Sequence, residues 1–211
     1  MNRSTMRTEV RQILPDPDSL KFSSNIINAW LDYAYIELMT RLEFDTATAT
    51  VTTTTGQSNY QLPDNILAIK EIYIVASDGK EYRLEVLEQD EINSKYGIGW
   101  RSESNGRPTT AYKVDYNVLG IFPPPDAANA SRTLTIFYFK PPTGFTADTE
   151  TPPFTTGMHQ ALVYYGVARG CFMLGNDDRG IKFMKLYEVE YNKIKYFVQN
   201  FALDELRFRF G

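Results

Sequence analysis

The hydrophobic pattern changes period twice along the chain. Met6, Val10 and Ile13 fall on one side of a short helix spanning 5–14, which PDPDS (15–19) breaks because proline fixes φ and lacks an N–H. Ser23 or Ser24 then offers an N-cap. Ile27, Leu31, Ala34, Leu38 and Leu42 follow at spacings of four and three, one face of a long helix. From Thr46 the period becomes two. TATATVTTTT sets Ala47, Ala49 and Val51 on one face and threonines on the other, the pattern of a strand with a solvated threonine face. NYQLPDN turns the chain. Strands are predicted at 67–75, 81–86, 111–116, 118–122 and 133–139, with SDG (77–79) as a hairpin turn between the first two. One or two helical turns are predicted at 87–97, ended by Gly97.

Helical periodicity returns after a loop, 141–157, that contains four prolines. Met158, Leu162, Tyr165, Arg169 and Phe172 form one stripe, with Ala161, Ala168 and Cys171 beside it. GNDDRG closes that helix. A final helix carries Met184, Tyr187, Tyr191, Ile194, Val198 and Phe201, the best-formed apolar stripe in the chain. Helices, then strands, then helices argue an α+β fold. The expected architecture is a helical bundle made by 1–45 and 154–211. An antiparallel β-rich insertion at 46–153, sandwich-like or barrel-like, projects from it.

Composition narrows the function classes. The chain has 211 residues and is 43% hydrophobic, enough for one substantial core or two small ones. Lys and Arg number 22 against 26 Asp and Glu, a formal charge of -4, which argues against gripping nucleic acid by counterion release. With 14 Tyr and 13 Phe, there are more aromatic rings than one core needs, and the surplus suits subunit contacts. No apolar stretch reaches the length of a membrane span, and the first residues lack the apolar segment of a secretory signal.

The lone histidine and lone cysteine, His159 and Cys171, stand on one predicted helix. Twelve residues of helix separate them by on the order of 18 Å, so they cannot form a nucleophile–base pair. Cys171 reads as a small core hydrophobe. Metal ligands are too few for zinc, and Asp177 with Asp178 reads as a solvated turn, so no metal or cofactor is expected. YGIGWRS misses the dinucleotide fingerprint, with serine where the third glycine belongs. Glu81, Glu85, Glu88, Asp90 and Glu91 are close in sequence, and two carboxylates at the right separation suffice for glycoside cleavage. Without a cleft they are an acidic surface.

Several segments in order carry a resemblance: VRQIL, PDPDS, IINAWLDYAYIELMTRL, YQLPDNILAIKEIYI, GRPTTAYKV, GIFPPPDA before TLTIFYFKPP, and PPFTTGMHQALVYYGVAR. Together they cover nearly the whole chain. The layout resembles the head-to-tail adaptor (neck or connector) proteins of tailed bacteriophages, including the tail tubular A type. The resemblance implies a structural virion protein of the neck, assembled in the host cytoplasm, and no enzyme. It implies a homo-oligomeric ring, usually a dodecamer, beneath the portal protein. The ring extends the channel, passes genomic DNA without specific binding, and gives the tail tube or nozzle protein its platform; no membrane is involved. The alternatives are a neck protein with peptidoglycan-hydrolase activity or a generic tail or baseplate binding module.

Two segments are interface candidates. In LDELRFRFG, Leu206, Phe208 and Phe210 alternate with Arg207 and Arg209. The bland reading is a frayed helix end; the sharper and favoured one is an extended strap that binds the portal. In the loop 97–110, Trp100 and Arg101 are either an exposed hot-spot pair for a subunit or tail contact, or Trp100 simply covers the edge of the β-domain.

Overall fold

A computed structural model describes residues 1–14, 21–102, 104–153 and 159–209, with side chains as far as Val198. Contacts divide the chain into two units: Met1–Phe44 together with the chain from Pro142 onward, and Asp45–Pro141.

The first unit contains four described helices: α1 (Arg3–Ile13), α2 (Ser24–Leu42), α4 (Gln160–Met173) and α5 (Asp177–Arg209). Asn2 caps α1 by accepting from the Thr5 N–H at 2.9 Å, and Ser23 caps α2 by accepting from Ile26. Glu43 ends α2 in the left-handed region at φ 48°, and Gly175 follows α4 at φ 71°. One core joins all four helices: Met6, Val10 and Leu14 from α1 and its C-cap; Ile27, Leu31, Ala34 and Leu38 from α2; Leu162, Val167 and Cys171 from α4; Tyr187, Tyr191 and Ile194 from α5.

Helix α4 touches α1, α2 and α5, and this changes its expected face. The buried positions are Ala161, Leu162, Val163, Gly166, Val167, Ala168, Gly170 and Cys171, whereas Arg169 and Phe172 are exposed and Tyr165 is half-buried. A helix with neighbours on three sides buries small residues around most of its circumference, so the larger side chains mark its open side. Met158 lies outside the described residues. Residues 142–153, expected with the strands, pack with the helices. Phe145 is buried in the helical core and stacks on Tyr35 at 4.7 Å between ring centres. Arg3 donates to the Phe145 carbonyl at 3.1 Å, and Arg7 pairs with Asp148 at 2.8 Å. The Arg7 bond holds the Asp148 carboxyl below its ordinary value.

The second unit contains strands β1 (Thr46–Thr52), β2 (Asn59–Gln61), β3 (Ala68–Val75), β4 (Glu81–Leu87), β5 (Thr110–Asp115), β6 (Val118–Phe122) and β7 (Thr133–Phe139). They form one sheet in the order β1-β7-β3-β4-β5-β6-β2. The expectation of an antiparallel sheet holds at every pair but one: β4 and β5 run parallel. A parallel pair needs a crossover of a dozen or more residues, and 88–109 supplies it, with helix α3 (Gln89–Tyr96) and a single 3-10 turn at Trp100–Ser102. The inner face of the sheet holds a core of Ile72, Ile74, Leu84, Leu119, Ile121, Leu134 and Ile136.

Candidate interaction surfaces

The loop after α3 reverses one expectation. Trp100 is 2% exposed, so it is not an exposed contact anchor. Its indole N–H donates to Asn93 Oδ1 at 2.8 Å, and its ring meets Tyr112 and Phe122 edge-on at 5.0 and 5.2 Å. With Ile92 these rings make a small core of their own, roofed by α3. Of the two readings of Trp100, the one in which it covers the edge of the β-domain matches this placement. Arg101 remains exposed, its guanidinium 4.6 Å above the indole. The large apolar residue that the loop exposes is Ile98, at 93%, between Gly97 and Gly99. Sequence reading passed over it because an isolated aliphatic residue in a polar loop has no periodic signal.

The acids of 81–91 are exposed, and Glu85, Glu88 and Glu91 serve local structure. The Glu88 N–H donates to Glu91 Oε2 at 2.9 Å, one arm of a capping box at the start of α3. Glu85 is paired with Lys95. Asp90 and Glu91 line a shallow, open surface depression with Leu87, Ser94 and Lys95. The described groups of His, Cys, Asp and Glu include no set of three placed to hold a metal ion. No described helix is long and apolar enough to cross a membrane.

His159 and Cys171 are both buried, in different surroundings. His159 Nδ1 lies 2.5 Å from the amino group of Met1. Cys171 sits in the helical core, and burial pushes its thiol above the ordinary value despite Arg179. Native protein should therefore resist alkylation by iodoacetamide at pH 8 and react stoichiometrically once unfolded, as mass spectrometry would read. Rapid labelling of the native chain would contradict the burial.

Among its exposed residues the helical unit carries several large apolar side chains. On α5, Leu186, Val189 and Tyr196 recur at spacings of three and seven, and Tyr196 is 72% exposed. They lie away from the face, Tyr187, Tyr191 and Ile194, that enters the core. On α2, Ile26, Tyr33 and Ile36 repeat the same spacings in reverse order, with Tyr33 70% exposed. The two stripes belong to different helices, linked by Arg41, whose guanidinium donates to both Glu188 carboxylate oxygens at 2.8 and 2.9 Å and lies 3.7 Å above the Tyr191 ring. At the C-terminus, α5 continues as helix through Arg209. The backbone at Leu206, Arg207, Phe208 and Arg209 is thus helical and not an extended strap. Their side chains, and Phe210 entirely, lie outside the described residues.

The described surface thus carries two exposed apolar helix stripes, the kind of patch that makes protein contacts. A family model described as the SU10 adaptor protein matches residues 1–201, and the chain belongs to that family, a family of structural phage adaptor proteins. It is accordingly a virion component that interacts with other phage head and tail parts. No curated protein matches the chain.

Proposed function

We propose that the chain is the head-to-tail adaptor of a tailed phage. Copies form a ring, a dodecamer, that docks beneath the portal protein, continues the DNA channel and offers the tail tube or nozzle its platform. The observation that carries this reading is the match to a phage adaptor family along residues 1–201. The surface supports it. A ring uses head-to-tail contacts, so each copy needs two different adhesive faces, and the stripes on α2 and α5 supply two. A formal charge of -4 suits a channel wall past which DNA slides without sticking.

In this reading Leu206, Arg207, Phe208, Arg209 and Phe210 are the portal-contacting segment, the first four on the helical end of α5. Deleting residues 203–211 should abolish docking in electron micrographs of the chain mixed with its portal, while circular dichroism stays nearly unchanged. Normal docking of the truncated chain removes these residues from the interface. Absence of any ring on the portal with the full chain removes the adaptor reading itself.

A further inference from the structure

The edge strand β1 has an unusual combination of features. Lys140 donates to the Asp45 carbonyl at 3.0 Å, and Thr53 donates to the Arg132 carbonyl at 2.9 Å. These bonds bracket the register in which Thr46 faces Phe139 and Thr52 faces Thr133. In an antiparallel ladder, hydrogen-bonded and non-hydrogen-bonded pairs alternate. The odd positions, 47, 49 and 51, therefore spend their N–H and C=O groups on β7. The even positions, Thr46, Thr48, Thr50 and Thr52, point theirs away from the sheet, where no strand follows among the described residues.

Edge strands are normally guarded by short length, charge, proline or a bulge. The opposite edge, β2, is three residues long. β1 has seven residues, no charge, no proline and no register shift against β7. All four outward-bonding threonines are exposed. Ala47, Ala49 and Val51 pack against the sheet core yet stay half-buried, so the core is open along this edge.

The occupant follows from the sequence of the strand. TATATVT is symmetric in type about Ala49: threonine at 46, 48, 50 and 52, small apolar residues between. We propose that β1 pairs antiparallel with β1 of a second copy, about a twofold axis at Ala49. That register sets 46 opposite 52 and 48 opposite 50. Both are pairs of outward-bonding residues, so each exchanges two N–H···O bonds and every free edge group finds a partner. Threonine then stands opposite threonine on the solvent face, a favourable cross-strand pair, and the apolar residues meet on the core face. Shifting the register by one residue would set outward-bonding threonines against residues already committed to β7. The contact is isologous, so it joins two free chains and is distinct from the head-to-tail contacts of a ring.

The test uses the full chain without portal, so its outcome is independent of the adaptor reading. Sedimentation equilibrium should show a dimer. Thr50→Pro removes one outward N–H and none of the bonds to β7; it should weaken the dimer by about tenfold or more with the circular dichroism spectrum kept. A separate measurement does not depend on that variant folding. In the proposed register the two Ala49 residues face each other in a non-hydrogen-bonded pair, with Cα atoms about 4.5 Å apart, within disulfide range. The two Ala47 residues are offset by four positions, about 14 Å. Ala49→Cys should therefore form a disulfide-linked dimer under mild oxidation, and Ala47→Cys should not. A chain that stays monomeric at hundreds of micromolar overturns the proposal and assigns the edge to a strand from another protein. So does a dimer that survives Thr50→Pro unchanged, or equal crosslinking at both positions.

Discussion

Trp100→Ala is expected to lower the thermal transition of the sheet unit by at least about 10 °C, from a loss of about 3–5 kcal/mol. The indole is the hub of a small core, edge-on to Tyr112 and Phe122, with its N–H satisfied by Asn93. Alanine would leave a cavity that Ile92 and the two rings cannot close, because each is held by its own strand or helix. It would also strip the Asn93 amide of its partner. Arg101→Ala is the control. Arg101 is exposed and rests on the outer face of the indole, a contact worth about 0.5–1 kcal/mol, so its removal should shift the transition by a few degrees at most. A Trp100 that served as an interface anchor would give the reverse pattern: an unchanged transition and lost assembly. Calorimetry on the two variants separates these outcomes.

The loop around Trp100 also shows where sequence reading runs out. The strands with a local signal were legible: the hairpin 68–87 has its turn, and β1 alternates cleanly although its partner β7 is distant in sequence. The parallel β4–β5 pair was not, because nothing in either strand specifies direction. Direction is set by the crossover, and the crossover is α3 plus a turn buried by one tryptophan. Once Trp100 is seen to be internal, the long loop becomes a connection with its own core, and β5 returns beside β4 in the same sense. A Trp next to an Arg in a Gly-rich loop has the composition of an exposed hot spot, and composition alone does not distinguish it from a plug.

The same limit applied to the helices. The core face of α5 was readable because Tyr187, Tyr191 and Ile194 recur at helical spacing and pack mainly against one helix, α4. The core face of α4 was misplaced because α4 is central. Its small residues are what three neighbours require, and large side chains at a helical period drew attention to the open side. The surfaces that suit an adaptor, on α2 and α5, were invisible for a related reason: an exposed Tyr33 or Tyr196 differs from a buried one only in what packs against it. Family resemblance, carried by the order of segments along the chain, reached a phage adaptor family by a route that no single residue marks.

Gly120→Ala should cost about 3 kcal/mol, the upper end for overpacking a closed core, although it adds a single methyl group. Gly120 on β6 is the cross-strand partner of Tyr112 on β5, and the phenol ring lies flat across it. A Cβ at 120 would stand 2.2 Å from Cζ and 2.4 to 2.5 Å from the two Cε atoms of that ring. The ring cannot tilt away freely: it is 4% exposed and is held by Trp100 on its other contacts. The cost should therefore belong to the pair and not to the backbone. Tyr112→Ala alone is expected to be destabilising through the cavity it leaves. In the Tyr112→Ala background, however, Gly120→Ala should cost at least about 1 kcal/mol less than in the wild type, since the clashing ring is gone. Urea unfolding of the four proteins gives this coupling directly. Additivity within about 0.5 kcal/mol would mean that strand β6 yields at Gly120 instead, and that the Tyr112–Trp100–Phe122 cluster is looser than its ring contacts require.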